Sequence, residues 1–188
     1  MGRVPPFDPD QPRSRAYRAS EAFAQTRPGR WVAIHVAPRL DLMAMKATGG
    51  RFASFPGARV ALLTAPGRRS GVPRTTPLLY FTEGEDVVLI ASSYGRERHP
   101  AWYLNALAAE VVDFRVGARG GDYRVVEVVD PDERRRLYDR ACGVFAGYAG
   151  YEDRAGATGR TIPVLRLTPA SRPGPGPEPG SSPRPSAS

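Results

Sequence analysis

Cysteine, histidine and lysine are scarce in this chain of 188 residues. It has one cysteine, Cys142, two histidines, His35 and His99, and one lysine, Lys46. A single cysteine excludes a disulfide within the chain, which fits a reducing compartment. A zinc site built from histidine and cysteine would need nearly all of these residues in one place, so we predict no metal centre.

Long apolar runs are absent as well. No run reaches the roughly 18 residues needed to cross a bilayer, and the N-terminus lacks the basic start and apolar stretch of a signal peptide. We therefore expect a cytoplasmic protein.

Acidic residues are not scarce enough for a nucleic-acid-binding protein. The net charge is +8, but residues 1–54 carry +5 of it, residues 55–169 only +2, and the remaining residues +1. A groove for nucleic acid should be lined by basic residues with few acids between them. The nearly neutral central part argues against such a groove, and we predict no nucleic-acid partner.

Composition divides the chain into four parts. Residues 1–30 are expected to be a loose N-terminal segment, and residues 55–169 form the one domain that this length supports. Residues 31–54 predict an amphipathic helical segment, which either caps the core or contacts the inner face of a membrane. The segment 170–188 is expected to be disordered, because its last 18 residues contain six prolines, three glycines and no aromatic residue.

Short apolar runs between turn residues predict a strand-rich domain. Strands are expected at 58–65, 74–82, 86–92, 111–117, 123–129 and 161–167, with a tight turn at Gly120-Gly121. Helices are expected at 99–110 and from Pro131 to about Ala146, the second capped by Asp130. Many short antiparallel strands with a few inserted helices indicate an α+β fold with a small β-barrel.

Three segments are candidates for a functional site. Between Pro66 and Pro77 lie three arginines, three hydroxyl side chains and two glycines, with no acid. This composition suits an anion site, although an exposed turn stays an alternative. Around Ser92 and Trp102, small and aromatic residues suit a flat ring or simple core packing. Phe145, Tyr148 and Tyr151, spaced by three, indicate a packing stripe on the residues alone.

The three segments together resemble a known family. LLTAPGRRSGVPRTTPLLYF, VLIASSYGRERHPAWYLNALAAE and FAGYAGYEDRAGATGRTIPVLRLTP are similar, in this order, to the deazaflavin-dependent nitroreductase family. The resemblance runs from about Phe52 to Pro169. It implies a split β-barrel of the FMN-binding type and the cofactor coenzyme F-420, a deazaflavin with a ribitol, phosphate, lactate and polyglutamate tail.

The resemblance also implies the site residues. The cofactor would be held by the following set: Arg68, Arg69, Ser70 and Arg74 at the phosphate and tail, Thr75, Thr76 and Pro77 at the ribitol and ring edge, and Ser92, Ala101 and Trp102 at the ring. The catalytic hydroxyls that bind the acceptor oxygen would be those of Ser92, Tyr148 and Tyr151.

The function implied is hydride transfer from reduced coenzyme F-420 to a quinone-like or nitro-aromatic small molecule. A non-catalytic deazaflavin-binding or storage protein and an oxidoreductase that uses FMN are the alternatives. The chain departs from the family pattern at Leu79 and Phe145, where members often have tyrosine, and at Ser93, where they often have lysine or asparagine. Split barrels often pair and build the site at the interface, so a homodimer stays open.

Overall fold

The computed structural model describes residues 3–10 and 60–170, together with residues 19, 22 and 26. The predicted amphipathic segment 31–54 lies outside the described residues, as does the predicted disordered tail from residue 171 onward. No helix in the described ranges is long and apolar enough to cross a membrane.

One antiparallel sheet dominates the described part of the chain. Its strands are β1 (Val60–Pro66), β2 (Pro73–Leu79), β3 (Phe81–Glu83), β4 (Asp86–Ile90), β5 (Val111–Val116), β6 (Arg119–Glu127) and β7 (Val164–Pro169). Their order across the sheet is β2-β1-β5-β6-β7-β4-β3. Side chains alternate along the strands, so that Ala61, Leu63 and Ala65 of β1 point into the core.

The sheet curls into a split barrel. β2 and β3 lie at opposite ends of the strand order, yet only Tyr80 separates them in sequence. A flat sheet would hold these two edges several strands apart, so the sheet must bend until they meet. Accordingly, β2 also contacts β4. The sequence predicted a single strand over 74–82; the structure divides it at Tyr80 because the chain passes there from one edge to the other.

Three helices pack on the barrel in the described ranges: α1 (Ala101–Ala109), α2 (Pro131–Val144) and α3 (Ala149–Gly156). The start of α2 confirms its predicted cap, since Asp130 Oδ1 accepts a hydrogen bond of 2.7 Å from the Glu133 N–H and Pro131 occupies the first helical position. The sequence did not predict α3, because Gly147 and Gly150, which lie between the three aromatic residues, argued against a regular helix.

The predicted turn at Gly120-Gly121 is wrong. The β5–β6 turn lies at Gly117 and Ala118, where Gly117 has φ +60°. Gly120 instead pairs with Arg115 inside the sheet, at φ +135°. A Cβ atom at Gly120 would overlap the backbone of Phe114, so this glycine serves the close approach of two strands rather than a turn.

Residues 3–10, part of the segment predicted to be loose, pack on the barrel. Val4 and Phe7 are buried. The Phe7 N–H donates to Thr82 Oγ1 at 2.9 Å, and the Thr82 N–H donates to the Phe7 carbonyl at 2.9 Å. The segment thereby covers the exposed edge of β3, which would otherwise offer unpaired backbone groups.

Glu83, at the end of β3, accepts hydrogen bonds from three arginines. Arg136 and Arg140 reach it from α2 at 2.5 and 3.0 Å, and Arg166 reaches it from β7 at 2.9 Å. The Arg136 hydrogen bond is the largest factor that lowers the pKa of Glu83, which falls from 4.5 to about 2. The carboxylate therefore ties α2 to the two strands.

Glu83→Gln should destabilise the fold by about 1–3 kcal/mol, because three guanidinium groups lose their shared carboxylate. A depressed carboxyl pKa stabilises the fold above the unfolded value, and this contribution is lost as the pH falls from about 4.5 to about 2. Urea unfolding between pH 2 and 7 measures both effects.

The control for this prediction is Glu85→Gln, since the Glu85 ion pair with Arg3 is exposed and should contribute at most about 1 kcal/mol. Equal losses of stability in the two variants would contradict the role given to Glu83.

Candidate functional site

The arginine-rich segment forms a compact turn between β1 and β2. The Gly67 N–H donates to the Val72 carbonyl at 2.9 Å, and the Gly71 N–H donates to the Gly67 carbonyl at 2.7 Å. Gly71 has φ +67°, a conformation that favours glycine. A Cβ atom at Gly67 would come within 2.8 Å of Ser70 Oγ, which would have to rotate, and within 3.3 Å of the Val72 carbonyl oxygen.

The guanidinium groups of Arg68, Arg69 and Arg74 are exposed at this turn. None of them forms an ion pair with an acidic residue in the described ranges. By contrast, the arginines of α2 and β7 are paired with carboxylates. Three neighbouring cations repel one another, and the Ser70 hydroxyl lies exposed among them. The arrangement suits an anionic ligand with several negative groups.

Asn105 joins the arginine turn to α1. Its side chain is 7% exposed, and its Oδ1 accepts a hydrogen bond of 3.1 Å from the Arg68 backbone N–H. Asn105 was not among the site residues predicted from the sequence. The sequence does contain an indication, because Asn105 is the one amide in the largely apolar helix AWYLNALAA. A buried amide needs a hydrogen-bond partner, so this position could have been singled out. The contact places two of the three candidate segments side by side.

The predicted ring-binding residues lie on β2 and at the start of α1. Thr75, Thr76 and Pro77 are half-buried on β2, and Thr75 Oγ1 lies 2.9 Å from Thr64 Oγ1 of β1. Ala101 is exposed at the first position of α1, and Trp102 beside it is half-buried. The indole packs edge-on against Tyr103, with 6.5 Å between the ring centroids.

Ser92 is half-buried just beyond the end of β4, where the backbone has an unusual conformation. The three residues that follow it, Ser93, Tyr94 and Gly95, have φ values of +50°, +59° and +73°. Left-handed φ costs a residue with a side chain roughly 1–2 kcal/mol, and such strain is common at functional sites. We call residues Ser92–Gly95 the left-handed turn.

Arg160 is a site residue that the sequence analysis missed. It is 8% exposed and lies just before β7. Its Nη1 donates to the carbonyls of Ser92 and Arg96 at 3.1 and 2.5 Å, and its Nη2 to those of Ala91 and Ser92 at 2.6 and 3.1 Å. A buried charge is costly unless its donors are satisfied, and here backbone carbonyls of the left-handed turn and its neighbours satisfy them.

His99, the residue predicted to begin a helix, precedes α1 and contacts Arg160. The Arg160 Nε–H points to His99 Nδ1 at 3.3 Å. His99 is exposed at the rim of a cleft, yet partial desolvation, reinforced by the positive charge of Arg160, lowers its pKa from 6.5. His99 is therefore neutral at pH 7 and accepts through Nδ1, which leaves its proton on Nε2.

The predicted catalytic tyrosines lie in an aromatic cluster. The rings of Tyr148 and Tyr151 are 5.9 Å apart, and each contacts Phe145, at 5.6 and 6.1 Å. Both tyrosines are 7% exposed. Tyr94 of the left-handed turn packs edge-on against Tyr151 at 5.9 Å. The cluster therefore borders the end of β4, where Ser92 lies.

A cleft of about 440 Å³ opens on one side of Arg160. None of the predicted site residues lines it. Its walls are Glu97, His99, Tyr103, Glu127, Arg134, Thr158, Gly159, Arg160, Thr161 and Pro163. Within the described ranges, no group of three or more histidine, cysteine or acidic residues could hold a metal ion.

A split β-barrel with an unpaired arginine turn is an architecture suited to a flavin-like cofactor that carries phosphate. The family of F420H(2)-dependent quinone reductases matches residues 37–169. An F420H(2)-dependent quinone reductase of Mycobacterium tuberculosis (strain ATCC 25618 / H37Rv) is 34% identical over 146 residues, which are 74% of this chain and 96% of the relative. The chain belongs to this family.

Two solved structures agree with the fold. The structure of an F420-H2-dependent reductase, FDR-A, has a TM-score of 0.51 and 30% identity, over 58% of this chain and 93% of that one. A structure described as a domain-swapped dimer has a TM-score of 0.53 and 27% identity, over 74% of this chain and 98% of that one.

Asn105→Ala should loosen the arginine turn. The loss of one buried hydrogen bond of about 1 kcal/mol should accelerate hydrogen exchange at the Arg68 amide roughly fivefold. Asn105→Asp is the matched control, since it keeps an oxygen acceptor at the same place. Exchange at Arg68 that is unchanged in Asn105→Ala would show that the turn does not depend on this contact.

Proposed function

We propose that this chain is an oxidoreductase that transfers a hydride from reduced coenzyme F-420 to a quinone-like or nitro-aromatic acceptor. Membership in the family of F420H(2)-dependent quinone reductases supports the cofactor and the quinone. The observation that carries the proposal is the set of three arginines without acidic partners in the described ranges, fixed to α1 through Asn105.

The residues present fit this cofactor. One phosphate and several carboxylates need several fixed cations, which the arginine turn presents without competing acids. Gly67 and Gly71 allow the tight backbone of the arginine turn. We assign Arg68, Arg69, Ser70 and Arg74 to the phosphate and tail, Thr75, Thr76 and Pro77 to the ribitol and ring edge, and Ser92, Ala101 and Trp102 to the ring.

When bound, the reduced deazaflavin supplies a hydride, so the chain needs no nucleophile of its own. Its residues must hold ring and acceptor face to face and stabilise the negative charge that develops on the acceptor oxygen. We assign the stabilisation of this charge to hydrogen bonds that the hydroxyls of Ser92, Tyr148 and Tyr151 donate to the acceptor oxygen. A proton delivered through one of these hydroxyls, or from water, then neutralises the oxygen.

A fluorescence titration with oxidised coenzyme F-420, with FMN run in parallel, tests the proposal. We expect saturable micromolar or tighter binding of the deazaflavin and none of FMN, and oxidation of reduced coenzyme F-420 by a soluble naphthoquinone. Binding of FMN alone would keep the barrel and replace the cofactor. Tight deazaflavin binding without turnover of any acceptor would favour a storage protein, and binding of neither cofactor would refute the proposal.

The double variant Arg69→Ala/Arg74→Ala should weaken binding of coenzyme F-420 by about a hundredfold or more. This estimate counts two charge-assisted contacts to the phosphate and tail. The double variant Arg124→Ala/Arg135→Ala is the control, because it removes the same charge from exposed positions on β6 and α2. If both double variants bind the cofactor as the unchanged protein does at low salt, the assignment of the arginine turn is refuted.

Tyr148→Phe should lower kcat at least about tenfold, because one charge-stabilising hydrogen bond is lost, and should change the cofactor Kd little. Steady-state kinetics combined with the titration separate these two effects. Tyr123→Phe, which removes a buried hydroxyl that accepts a hydrogen bond from the Val4 N–H, should retain full turnover. Parallel losses of kcat and cofactor affinity in Tyr148→Phe would contradict a role for Tyr148 at the acceptor.

The proposal also includes the assembly of the protein. A related structure described as a domain-swapped dimer supports a homodimer for this chain. Sedimentation at micromolar concentration measures this oligomeric state.

The membrane contact predicted for residues 31–54 stays a prediction, since those residues lie outside the described ranges. We likewise retain residues 55–169 as the proposed cofactor-binding domain.

A further inference from the structure

We propose that Arg160 is a positioning residue, which holds the left-handed turn in its active conformation, and that His99 keeps the Arg160 guanidinium in place. This inference rests on the proposed function only in assigning the turn to the active site. Arg160 affects the reaction through the positions of Ser92 and Tyr94, which its hydrogen bonds to the turn help to fix.

The hydrogen bonds of Arg160 are concentrated on the strained backbone. The Ser92 carbonyl accepts from both Nη1 and Nη2 of Arg160 and also from the Gly95 N–H at 2.9 Å. The Arg96 N–H donates to the Ser93 carbonyl at 3.1 Å. Without the guanidinium, the Ser92 carbonyl would lose two of its three hydrogen bonds. It directly precedes Ser93 and Tyr94, two residues with side chains that are held at positive φ.

Only arginine can make this set of contacts. Its planar fork offers five N–H donors, and here Nε, Nη1 and Nη2 reach four different residues. A lysine ammonium is a point donor and cannot span the carbonyls of Ala91 and Arg96 while it also reaches His99. No carboxylate pairs with Arg160 in the described part of the chain, so its contacts are directed to the backbone rather than to a counter-ion.

The left-handed turn connects both proposed sources of catalytic hydroxyls. Ser92 begins the turn, and the Tyr94 ring packs on Tyr151 at 5.9 Å. The backbone of α3 also lies close, because a Cβ atom at Gly95 would come within 2.9 Å of the Tyr151 carbonyl. A shift of the turn would therefore move Ser92 and Tyr151 relative to each other.

His99 makes the arrangement sensitive to pH. It lines the cleft and can exchange protons with solvent there. The groups that face it are Arg160, Tyr103 and Glu127, whose carboxylate accepts from the Tyr103 hydroxyl at 2.8 Å, and the cleft adds Glu97 and Arg134. A proton on Nδ1 would remove the acceptor of the Arg160 Nε–H and set two cations against each other.

Hydrogen exchange in the protein without cofactor tests the inference independently of activity. Arg160→Lys should accelerate exchange at the amides of Gly95 and Arg96 about tenfold and leave the Val125 amide, which bonds to Glu110, unchanged. Arg135→Lys, at an exposed position on α2, is the control. Because His99 is exposed, His99→Ala should fold even where the arginine variant does not, and it should accelerate the same two amides about threefold.

The kinetic readout separates positioning from general support of the fold. Arg160→Lys should lower kcat about tenfold with a cofactor Kd within about threefold of the original. In the unchanged protein, kcat should decline as the pH falls and His99 becomes protonated. His99→Gln, which keeps an oxygen acceptor but cannot titrate near neutrality, should abolish that decline. Unchanged exchange at Gly95 and Arg96, or equal losses of kcat, Kd and thermal stability, would overturn the inference. A protein that exchanges as expected but oxidises no reduced coenzyme F-420 would refute only the proposed function.

Discussion

The passage of the chain from β2 to β3 through Tyr80 alone constrains the whole sheet. Because these strands occupy opposite ends of the strand order, the barrel has to close at Tyr80, whose side chain is 1% exposed and packs edge-on against Phe114 at 5.7 Å. Closure brings β2 against β4. The strand that follows the arginine turn thus contacts the strand that leads to Ser92.

Arginine serves three different purposes in this chain, and the partners distinguish them. Around Glu83, guanidinium groups share a carboxylate and join α2 to the sheet. At Arg160 the partners are backbone carbonyls and the neutral His99 ring, with no carboxylate in the described part of the chain, so the charge shapes a strained segment. At the arginine turn the described residues supply no acid, so the exposed guanidinium groups are open to an anionic ligand. Net charge alone, or the count of arginines, would not separate these uses.

Features fixed by short-range chemistry were predictable from the sequence. The Asp130 cap depends on residues three positions apart, and the strand pattern of β1 depends on alternate residues. The division of a strand at Tyr80 and the place of Gly120 depend on which strands pair, which local patterns do not record. Asn105 and Arg160 were missed for the same reason, since their partners are 37 and as many as 69 residues away in sequence.

Cofactor binding and turnover are assigned to different parts of the barrel, yet one path of contacts joins them. Asn105 fixes the arginine turn to α1, His99 precedes that helix, and Arg160 carries the connection from His99 to the Ser92 carbonyl. The aromatic cluster of Phe145, Tyr148 and Tyr151 lies beyond the end of this path. The contacts that fix the arginine turn to α1 do not include the cluster, so a change at Phe145 would alter the proposed acceptor side and leave this path in place.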